Sequence, residues 1–438
     1  MRKLLISFLT GLLALGISCD NPTEPKSNPY EQHQIEWPSL ADSPWPMYAH
    51  DPQHTGRSSY SGPEQGRVDW YTELEGIVDN SSPILSSDNY ILIGFQCGDY
   101  DFAIYNSAGQ LLQSSNLISN VTSSPVCAKD NHVYVGNQTT ALLVGGVPVW
   151  QKQLVNVTEF HFPALDYNGE YLYCITKYAI LKLSTANGDF IDSLVCPVTS
   201  YYSGMSPAFS PNGEKLYVTG AIYLQDTQVW NYALFAFDTT GEHLWTFDTD
   251  LACQSFWPST PSVDNDGNIY IRTGPDQNGL FAVSSSGQLK WSDLNAGPGD
   301  LVNGISIGHD GSLYSISSDG IVMAWTYNGE RLWEYDCTKN LFLGSTDFGT
   351  VKRVYNTPVI DKQGNLFFGM DAYSRGESSQ YPNDTLNVAA LRPDGTLLFA
   401  IHVPDDEKSW TRHVHPMLSI GLNKRLFILT DRELISIK

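Results

Sequence analysis

A ten-residue pattern returns in register along most of this chain. It contains an alternating apolar strand, a tight turn with glycine and a second strand that reaches tryptophan, and its clearest copies are Ala236–Trp245, Ala282–Trp291 and Ala324–Trp333. Weaker copies lie at 104–112, 182–190 and 391–399. The glycine suits a turn position with positive φ. We therefore interpret the chain as a repeat protein, in which each unit buries its apolar face against its neighbours.

A second pattern completes each unit. A Ser-Pro or Thr-Pro step precedes a short apolar strand, a tight turn and an aromatic-rich strand, as in Thr260–Ile271 and Ser206–Val218. The two patterns together give four strands, which is one blade of a propeller. Aromatic residues make up 12% of the chain, beside 36 Gly and 24 Pro. This composition is typical of short strands joined by tight turns, and it predicts an all-β fold.

The prolines that open the inner strands count the blades. They are Pro83, Pro125, Pro163, Pro207, Pro261, Pro358 and Pro416. The spacing doubles after Pro261, and a copy without proline at Asn303–Tyr314 fills the gap. We therefore predict an eight-bladed β-propeller of four-stranded antiparallel blades, with seven blades as the alternative count.

The last of these blades is one strand short at its C-terminal end. Strands are expected at Met417–Ile420, Arg425–Leu429 and Leu434–Ile437, after which the chain ends. Gly66–Leu74 has the form of an outer strand without a blade of its own. We predict that this N-terminal strand completes the last blade, because closing the ring removes two open sheet edges.

The first residues are typical of an export signal. A basic pair, Arg2-Lys3, precedes the apolar run Leu4–Ile17 and then Ser18-Cys19. Residues 15–19 resemble the lipobox of bacterial lipoproteins, which implies cleavage before Cys19 and lipidation of that cysteine; an ordinary secretory signal is the alternative. We assign residues 1–18 to a signal peptide and 19–44 to a flexible, proline-spaced tether. The expected location is the bacterial cell envelope, on its periplasmic or cell-surface side.

Charge and cysteine content exclude other classes. The net charge of −22 argues against binding to nucleic acid, which needs clustered Lys and Arg. Six cysteines follow Cys19, at positions 97, 127, 174, 196, 253 and 337, without the spacing of a zinc site or a disulfide scaffold. We expect mostly buried thiols in a monomer, and Cys97 with Cys127 and Cys174 with Cys196 are the pairs to check for disulfides.

The repeated pattern resembles the tryptophan-docking repeats of the quinoprotein-like, or pyrroloquinoline quinone repeat, eight-bladed propellers. The tryptophans at the docking position are Trp70, Trp150, Trp245, Trp291 and Trp333. Residues 45–65 resemble the segment that leads into the first blade of bacterial members, and residues 66–438 form the propeller. The resemblance implies that each indole packs between neighbouring blades. It does not decide the function, because this fold serves both oxidases and structural proteins.

Enzymes of that family hold a quinone on the ring axis, a calcium ion, an aspartate base and often a disulfide between adjacent cysteines. This sequence has no Cys-Cys pair and no acidic residue that matches the base. We therefore expect no catalytic residues and no cofactor. The alternative is a dehydrogenase that uses pyrroloquinoline quinone and calcium, or a polysaccharide-acting enzyme, with its site at the channel mouth.

Two sets of residues have the chemistry of metal ligands. Asp264–Asn268 resembles the opening of a calcium loop, but its twelfth position is Pro275 instead of glutamate, so we expect a structural turn. His50, Asp51 and His54 have a spacing that would meet on a helix, which Pro52 makes unfavourable. We expect no metal site.

The loops that precede the inner strands gather at one mouth of a propeller channel, and the loops at 221–231 and 371–387 should overhang it. Our candidate partner-binding residues are His161, Tyr202, Trp257, Arg353, Tyr355, Arg375, Trp410, Arg412, His413 and His415. Aromatic, Arg and His side chains suit a recognition surface. The alternative is that the aromatic residues plug the channel and stack between blades. We predict a lipid-anchored, non-catalytic propeller that binds an envelope protein or an extended polymer such as a polysaccharide.

Overall fold

We analysed a computed structural model of the chain. The structure describes residues 28–78, 81–117, 121–136, 139–154, 162–300, 303–341, 350–353, 356–374, 385–403 and 417–438. Within these ranges the strands form eight blades whose inner strands follow one another around a ring.

The first four blades occupy the N-terminal half of the chain. β1 (Val68–Glu73) and β2 (Gly76–Ile77) precede blade 1. Along the chain follow β3 (Ile84–Leu85), β4 (Ile91–Gly94), β5 (Cys97–Gly98), β6 (Phe102–Tyr105) and β7 (Leu111–Ser115). The sheet of blade 1 contains β3, β4, β6 and β7, whereas β5 pairs with β2 in a separate two-stranded sheet. Blade 2 contains β8 (Val126–Cys127), a 3₁₀ turn (Lys129–Asn131), β9 (His132–Val135), β10 (Thr139–Val144) and β11 (Val147–Gln153). Blade 3 contains β12 (Ala164–Leu165), β13 (Tyr171–Ile175), β14 (Ile180–Ser184) and β15 (Phe190–Leu194). Blade 4 contains β16 (Ser200–Tyr202), β17 (Ala208–Phe209), β18 (Lys215–Leu224), β19 (Val229–Asp238) and β20 (His243–Ala252).

The C-terminal half supplies the other four. Blade 5 contains β21 (Ser262–Val263), β22 (Ile269–Arg272), β23 (Leu280–Val283) and β24 (Leu289–Asp293). Blade 6 contains β25 (Ser306–Ile307), β26 (Leu313–Ile316), β27 (Ile321–Trp325), β28 (Arg331–Asp336) and the helical turn α1 (Cys337–Asn340). Blade 7 contains β29 (Thr350–Arg353), β30 (Val359–Ile360), β31 (Leu366–Ser374), β32 (Thr385–Leu391) and β33 (Leu397–Val403). Blade 8 contains β34 (Met417–Gly421), β35 (Arg425–Leu429), β36 (Glu433–Ile437) and, as its outer strand, β1.

The ring closes as the sequence predicts. β1 pairs antiparallel with β36, with Val68 opposite Ile437 and Glu73 opposite Glu433. The carboxylate of Asp69 in β1 also contacts Arg425 of β35 at 2.5 Å and Lys438, which follows β36. The two ends of the propeller therefore share one sheet, and the prediction of eight blades is confirmed.

The five predicted tryptophans dock between neighbouring blades. Each indole lies over a turn glycine of the next blade, where an added Cβ would meet a ring atom at 2.4–2.7 Å. The pairs are Trp70 with Gly109, Trp150 with Gly188, Trp245 with Gly287, Trp291 with Gly329 and Trp333 with Gly395. Four of the indoles also donate a hydrogen bond to a backbone carbonyl of the same turn. These glycines have positive φ, so each is required both by the turn and by the ring above it.

The same position is occupied by other side chains at the three remaining blade junctions. Gln113 lies over Gly146, Asp192 over Gly241 and Phe399 over Gly66. All eight junctions therefore use one geometry, although only five of them use tryptophan. The weaker sequence copies correspond to the junctions that lack the indole.

We expect Trp245→Ala to lower the free energy of unfolding by about 2 kcal/mol. The indole is half-buried, so the loss should lie below the 3–5 kcal/mol typical of a buried tryptophan. Chemical denaturation would measure it against Leu244→Ala, a change at an exposed neighbour on the same strand. Equal losses in the two variants would contradict the docking role.

The N-terminal residues first cross the face opposite the mouth. This outer pass (residues 28–43) contacts blade 6 through Gln32 and His309, blade 3 through Trp37 and Leu165, and blade 2 through Ala41 and Cys127. Trp37 is buried among the inner strands of blades 3 and 4. The structure thus corrects the boundary of the flexible tether, because residues 28–44 pack against the propeller.

The chain then reverses and runs along the inner strands as the plug segment (residues 45–58). Its carbonyl groups accept hydrogen bonds from inner-strand amides of six blades, at N–O distances of 2.7–2.9 Å. The donor and acceptor pairs are Leu85 with Trp45, Cys127 with Pro46, Phe209 with Pro52, Val263 with Gln53, Ile307 with Thr55 and Ile360 with Gly56. An inner strand facing an open channel would leave these amides to water, so the plug segment completes the inner surface of the ring.

Candidate functional site

The channel axis is filled by a small apolar cluster. Tyr48 of the plug segment packs there with Phe162, Met205 and Met417, which come from blades 3, 4 and 8. Blades 4 and 8 lie on opposite sides of the ring, so a small cluster that joins residues of both lies at the axis. Burial raises the pKa of Tyr48 to about 12, although hydrogen bonds with Thr260 and Thr357 oppose this shift. These four side chains occupy this level of the axis.

The mouth of the channel lies above this cluster. Most of the candidate residues lie outside the described residues, namely Cys19, His161, Tyr355, Arg375, Trp410, Arg412, His413 and His415. Arg353 ends β29, and its backbone lies opposite Asp371 of β31. The roles assigned to these residues remain predictions.

The two other candidates have opposite environments. Tyr202 is 0% exposed, and its ring packs edge-on against Phe235 and Phe237 while its hydroxyl accepts a hydrogen bond from the Cys196 amide at 2.8 Å. The structure therefore corrects its assignment, because Tyr202 is a core residue that presents no surface to a partner. Trp257, in the loop that precedes the inner strand β21, is 53% exposed, and its partner-binding role remains a prediction.

An aromatic surface that includes Trp257 lies on blades 3–5. Its members are Tyr178, Tyr201, Tyr223, Trp230, Phe256 and Trp257. Five of these rings form a continuous row, in which neighbouring centroids are 5.2–6.2 Å apart. Tyr178 is 60% exposed at one end of the row. The loop expected at 221–231 is largely an extended hairpin of β18 and β19, and it carries Tyr223 and Trp230.

Sequence reasoning found part of this surface. Tyr201, Phe256, Tyr223 and Trp230 lie in the loops expected at the mouth, whereas Tyr178 belongs to a segment that gives no separate signal. Tyr178 follows β13 in a short turn, and Tyr223 lies in a strand longer than the repeat predicts. A signal for Tyr223 existed in the length of the apolar run from Lys215 to Leu224.

A partly buried polar network holds the centre of the row. Phe256 has a φ of 58°, which is unfavourable for an aromatic residue. The preceding residue, Ser255, donates to Asp276 at 2.6 Å, and Gln254 donates its amide to the same carboxylate at 2.9 Å. Burial raises the pKa of the Asp276 carboxyl, but hydrogen bonds from Ser255 and Tyr232 outweigh this effect and leave the pKa below its usual value. The ionised carboxylate therefore fixes the loop that presents Phe256 and Trp257.

Acidic side chains lie near the end of the row that the β18–β19 hairpin carries. Asp226 is exposed in the turn of the hairpin, and Asp250 is exposed near the end of β20. Asp248 accepts from Asn231, the neighbour of Trp230, at 3.0 Å. With Asp276 beside Phe256, the surface combines apolar rings with negative charge.

The residues that resemble metal ligands have structural roles. Asp264 accepts hydrogen bonds from the amides of Asp266 and Asn268 at 3.0 and 2.8 Å, and from the Tyr270 hydroxyl at 2.8 Å, so the structural turn is confirmed. His54 bonds the Pro261 carbonyl at 3.1 Å, and the plug segment contains no helix. Among the described residues, no three His, Cys, Asp or Glu side chains are grouped as metal ligands.

None of the six described cysteines forms a disulfide. Five are buried, as expected, while Cys97 is exposed in β5. Burial raises the pKa of Cys127 and of Cys253 to about 12, which keeps both thiols protonated. The two pairs to check, Cys97 with Cys127 and Cys174 with Cys196, are therefore not disulfides.

Comparison with known proteins agrees with this architecture. A family model described as outer membrane protein assembly factor BamB matches residues 102–335 and 212–415. The crystal structure of BamB from Moraxella catarrhalis is similar, with a TM-score of 0.56 and 14% sequence identity over 85% of this chain and 99% of that chain. At this identity the likeness shows the fold alone. No match is found among curated proteins. Because the two family matches extend over more than half of the sequence, the chain belongs to the pyrroloquinoline quinone repeat family described as outer membrane protein assembly factor BamB.

Proposed function

We propose that this protein is a non-catalytic binding module of the bacterial cell envelope, which holds a protein partner against its aromatic surface. The observation that carries the proposal is the row of rings at a mouth whose channel is plugged. The row is exposed at Tyr178, its other four rings are half-buried, and the exposed Trp257 follows Phe256 in the sequence. The family description supports a scaffold role in outer membrane assembly. The lipobox-like residues before Cys19 support a lipid anchor, and no described helix has the length and apolar character needed to cross a membrane.

The geometry of the row favours a protein over a polysaccharide. Neighbouring rings meet at 54–89°, so their faces do not form the flat platform on which successive sugar rings could stack. The gaps between tilted rings suit separate side chains of a polypeptide. Since carboxylates lie near Trp230 and Phe256, we expect the segment that contacts this part of the row to contain Lys or Arg, which can also lie over aromatic faces.

The test is to place a photo-crosslinking amino acid at Trp257 in the native bacterium. We expect a discrete protein adduct from this position and none from Phe190, an aromatic residue that is 61% exposed on the outer strand of blade 3. With the identified partner purified, Trp257→Ala and Tyr178→Ala should each weaken binding at least tenfold, because truncating a central aromatic contact typically costs 2 kcal/mol or more. Phe190→Ala should leave it unchanged.

Two results would contradict the proposal. One is an adduct pattern that is the same from both positions, and the other is a partner whose affinity the two variants do not change. Binding of a purified envelope polysaccharide that depends on Trp257 would replace the protein partner with a polymer.

We propose no cofactor. The side chains of Tyr48, Phe162, Met205 and Met417 occupy the axis, so pyrroloquinoline quinone with calcium should leave the melting temperature unchanged. A ligand that binds only the folded state must stabilise it, and a concentration-dependent rise would therefore favour the dehydrogenase alternative.

A further inference from the structure

A polar cavity lies between the two passes of the N-terminal segment, on the face opposite the mouth. Its volume is about 510 Å³, which is within the range of small-molecule sites. The outer pass contributes residues 34–43, and the plug segment contributes Pro46, His50, Asp51 and Pro52. Both walls are fixed to the ring, because Ala41 donates to the Cys127 carbonyl and Pro52 accepts from the Phe209 amide. The cavity is therefore part of the folded architecture and is independent of the aromatic surface.

The floor of the cavity contains an oriented imidazole. His50 is 2% exposed, its Nδ1 lies 3.3 Å from Asp51 Oδ2, and the Trp45 ring packs edge-on against it. A carboxylate only accepts, so Nδ1 carries the hydrogen, and in the neutral ring Nε2 is then an acceptor. Asp51 is itself fixed by the Thr55 amide at 2.9 Å. His50 forms part of the cavity wall, and its Nε2 has no hydrogen-bond partner among the described residues.

The charge of the walls selects among ligands. Glu36, Asp42 and Asp51 are acidic, whereas Lys129 is the one basic residue of the wall. This excess of negative charge disfavours an anion. A metal ion is also disfavoured, because no three ligating side chains are grouped within the described ranges.

We propose that this cavity binds a small organic cation, whose amine or guanidinium group donates to Nε2 of His50 while its charge is balanced by Glu36 and Asp42. The buried imidazole supplies a directed acceptor, and the two exposed carboxylates attract the cation to the opening. This ligand class differs from the protein partner proposed for the mouth.

Titration calorimetry with agmatine, which carries one guanidinium and one amine, tests the site in the whole protein. We expect saturable binding of one agmatine per chain and no binding of glutarate, a dianion of similar length. The double variant Glu36→Gln, Asp42→Asn should weaken agmatine binding at least tenfold. Glu31→Gln, at an exposed residue of the same outer pass that does not line the cavity, is the matched control and should have no effect.

His50→Asn tests the acceptor, since asparagine tolerates the φ of 77° at this position. We expect it to weaken agmatine binding, with circular dichroism confirming that the variant folds. Absence of binding at millimolar agmatine, equal binding of glutarate, or full affinity in the folded variants would overturn the proposal. A capped Gly-Arg-Gly peptide that binds more tightly than agmatine would overturn the assignment to a free small molecule. Trp257→Ala should leave agmatine binding unchanged, so the proposal for the cavity and the proposal for the aromatic surface are tested independently.

Discussion

A protein that begins at Gly62 should lose cooperative unfolding, or melt about 10 °C or more below one that begins at Asn28. The shorter protein keeps β1 but lacks the plug segment, so six inner-strand amides lose their acceptors. Each amide exchanges a protein acceptor for water, at a net cost of about 0.5–1.5 kcal/mol, and the whole stability of a domain is about 5–15 kcal/mol. Loss of Tyr48 and Trp45 from the core adds to this cost.

Thermal unfolding followed by circular dichroism would measure the effect. A third protein that begins at Pro44 lacks the outer pass alone, and we expect it to melt between the other two. A synthetic peptide of residues 28–61, added to the shortest protein, should bind and restore the melting temperature. If the Gly62 protein were as stable as the longer proteins, the plug segment would contribute nothing to the stability of the fold.

Acidification from pH 7 to pH 4 should cost the folded state about 3 kcal/mol through His54 alone. Burial lowers the pKa of His54 to about 4, although the Pro261 carbonyl and Asp51 oppose the shift. In the unfolded chain the same group has a pKa near 6.5. Between these two pKa values the imidazole of His54 is protonated in the unfolded state and neutral in the folded state. Unfolding therefore becomes more favourable as the pH falls.

Urea unfolding at pH 7, 5.5 and 4.5 would test this prediction. His54→Asn removes the titration, keeps a side-chain donor and tolerates the φ of 54°, so its stability should fall less steeply with acid. The matched variant is His33→Asn, at an exposed histidine of the outer pass, and it should keep the slope of the unmodified protein. If His54→Asn and the unmodified protein lose the same free energy between pH 7 and 4.5, the neutral buried imidazole is excluded.

The repeat predicted the ring because its signals are local. A glycine at positive φ and a tryptophan ten residues into the unit are fixed by one turn and one contact, and both recur in the sequence. Closure by β1 was also predictable, since a blade with three strands needs a fourth. Gln113 and Asp192 show the limit of this reasoning, because their docking position is defined by geometry and carries no signature residue.

The candidate site was harder to predict for a related reason. Tyr201 and Tyr202 are adjacent, and the alternation of a strand sends one ring to the surface and the other into the core. Sequence alone placed both at the mouth, because the short strand β16 is not part of the repeat. The sequence of residues 28–44 also gives little indication that this segment packs against the propeller. A proline-spaced polar stretch with one tryptophan is equally typical of a flexible tether.

The latch between β1 and β36 sets a condition on how this chain reaches its native state. β1 is synthesised before any other strand and can pair only after β36 has been synthesised. Tyr71 and its neighbours therefore stay exposed to solvent until they pair with Ile435 and the rest of β36. Loop closure over so long a separation is slow, and unpaired strands that wait are liable to pair with other molecules. Maturation of this propeller should therefore be governed by how quickly its two termini meet.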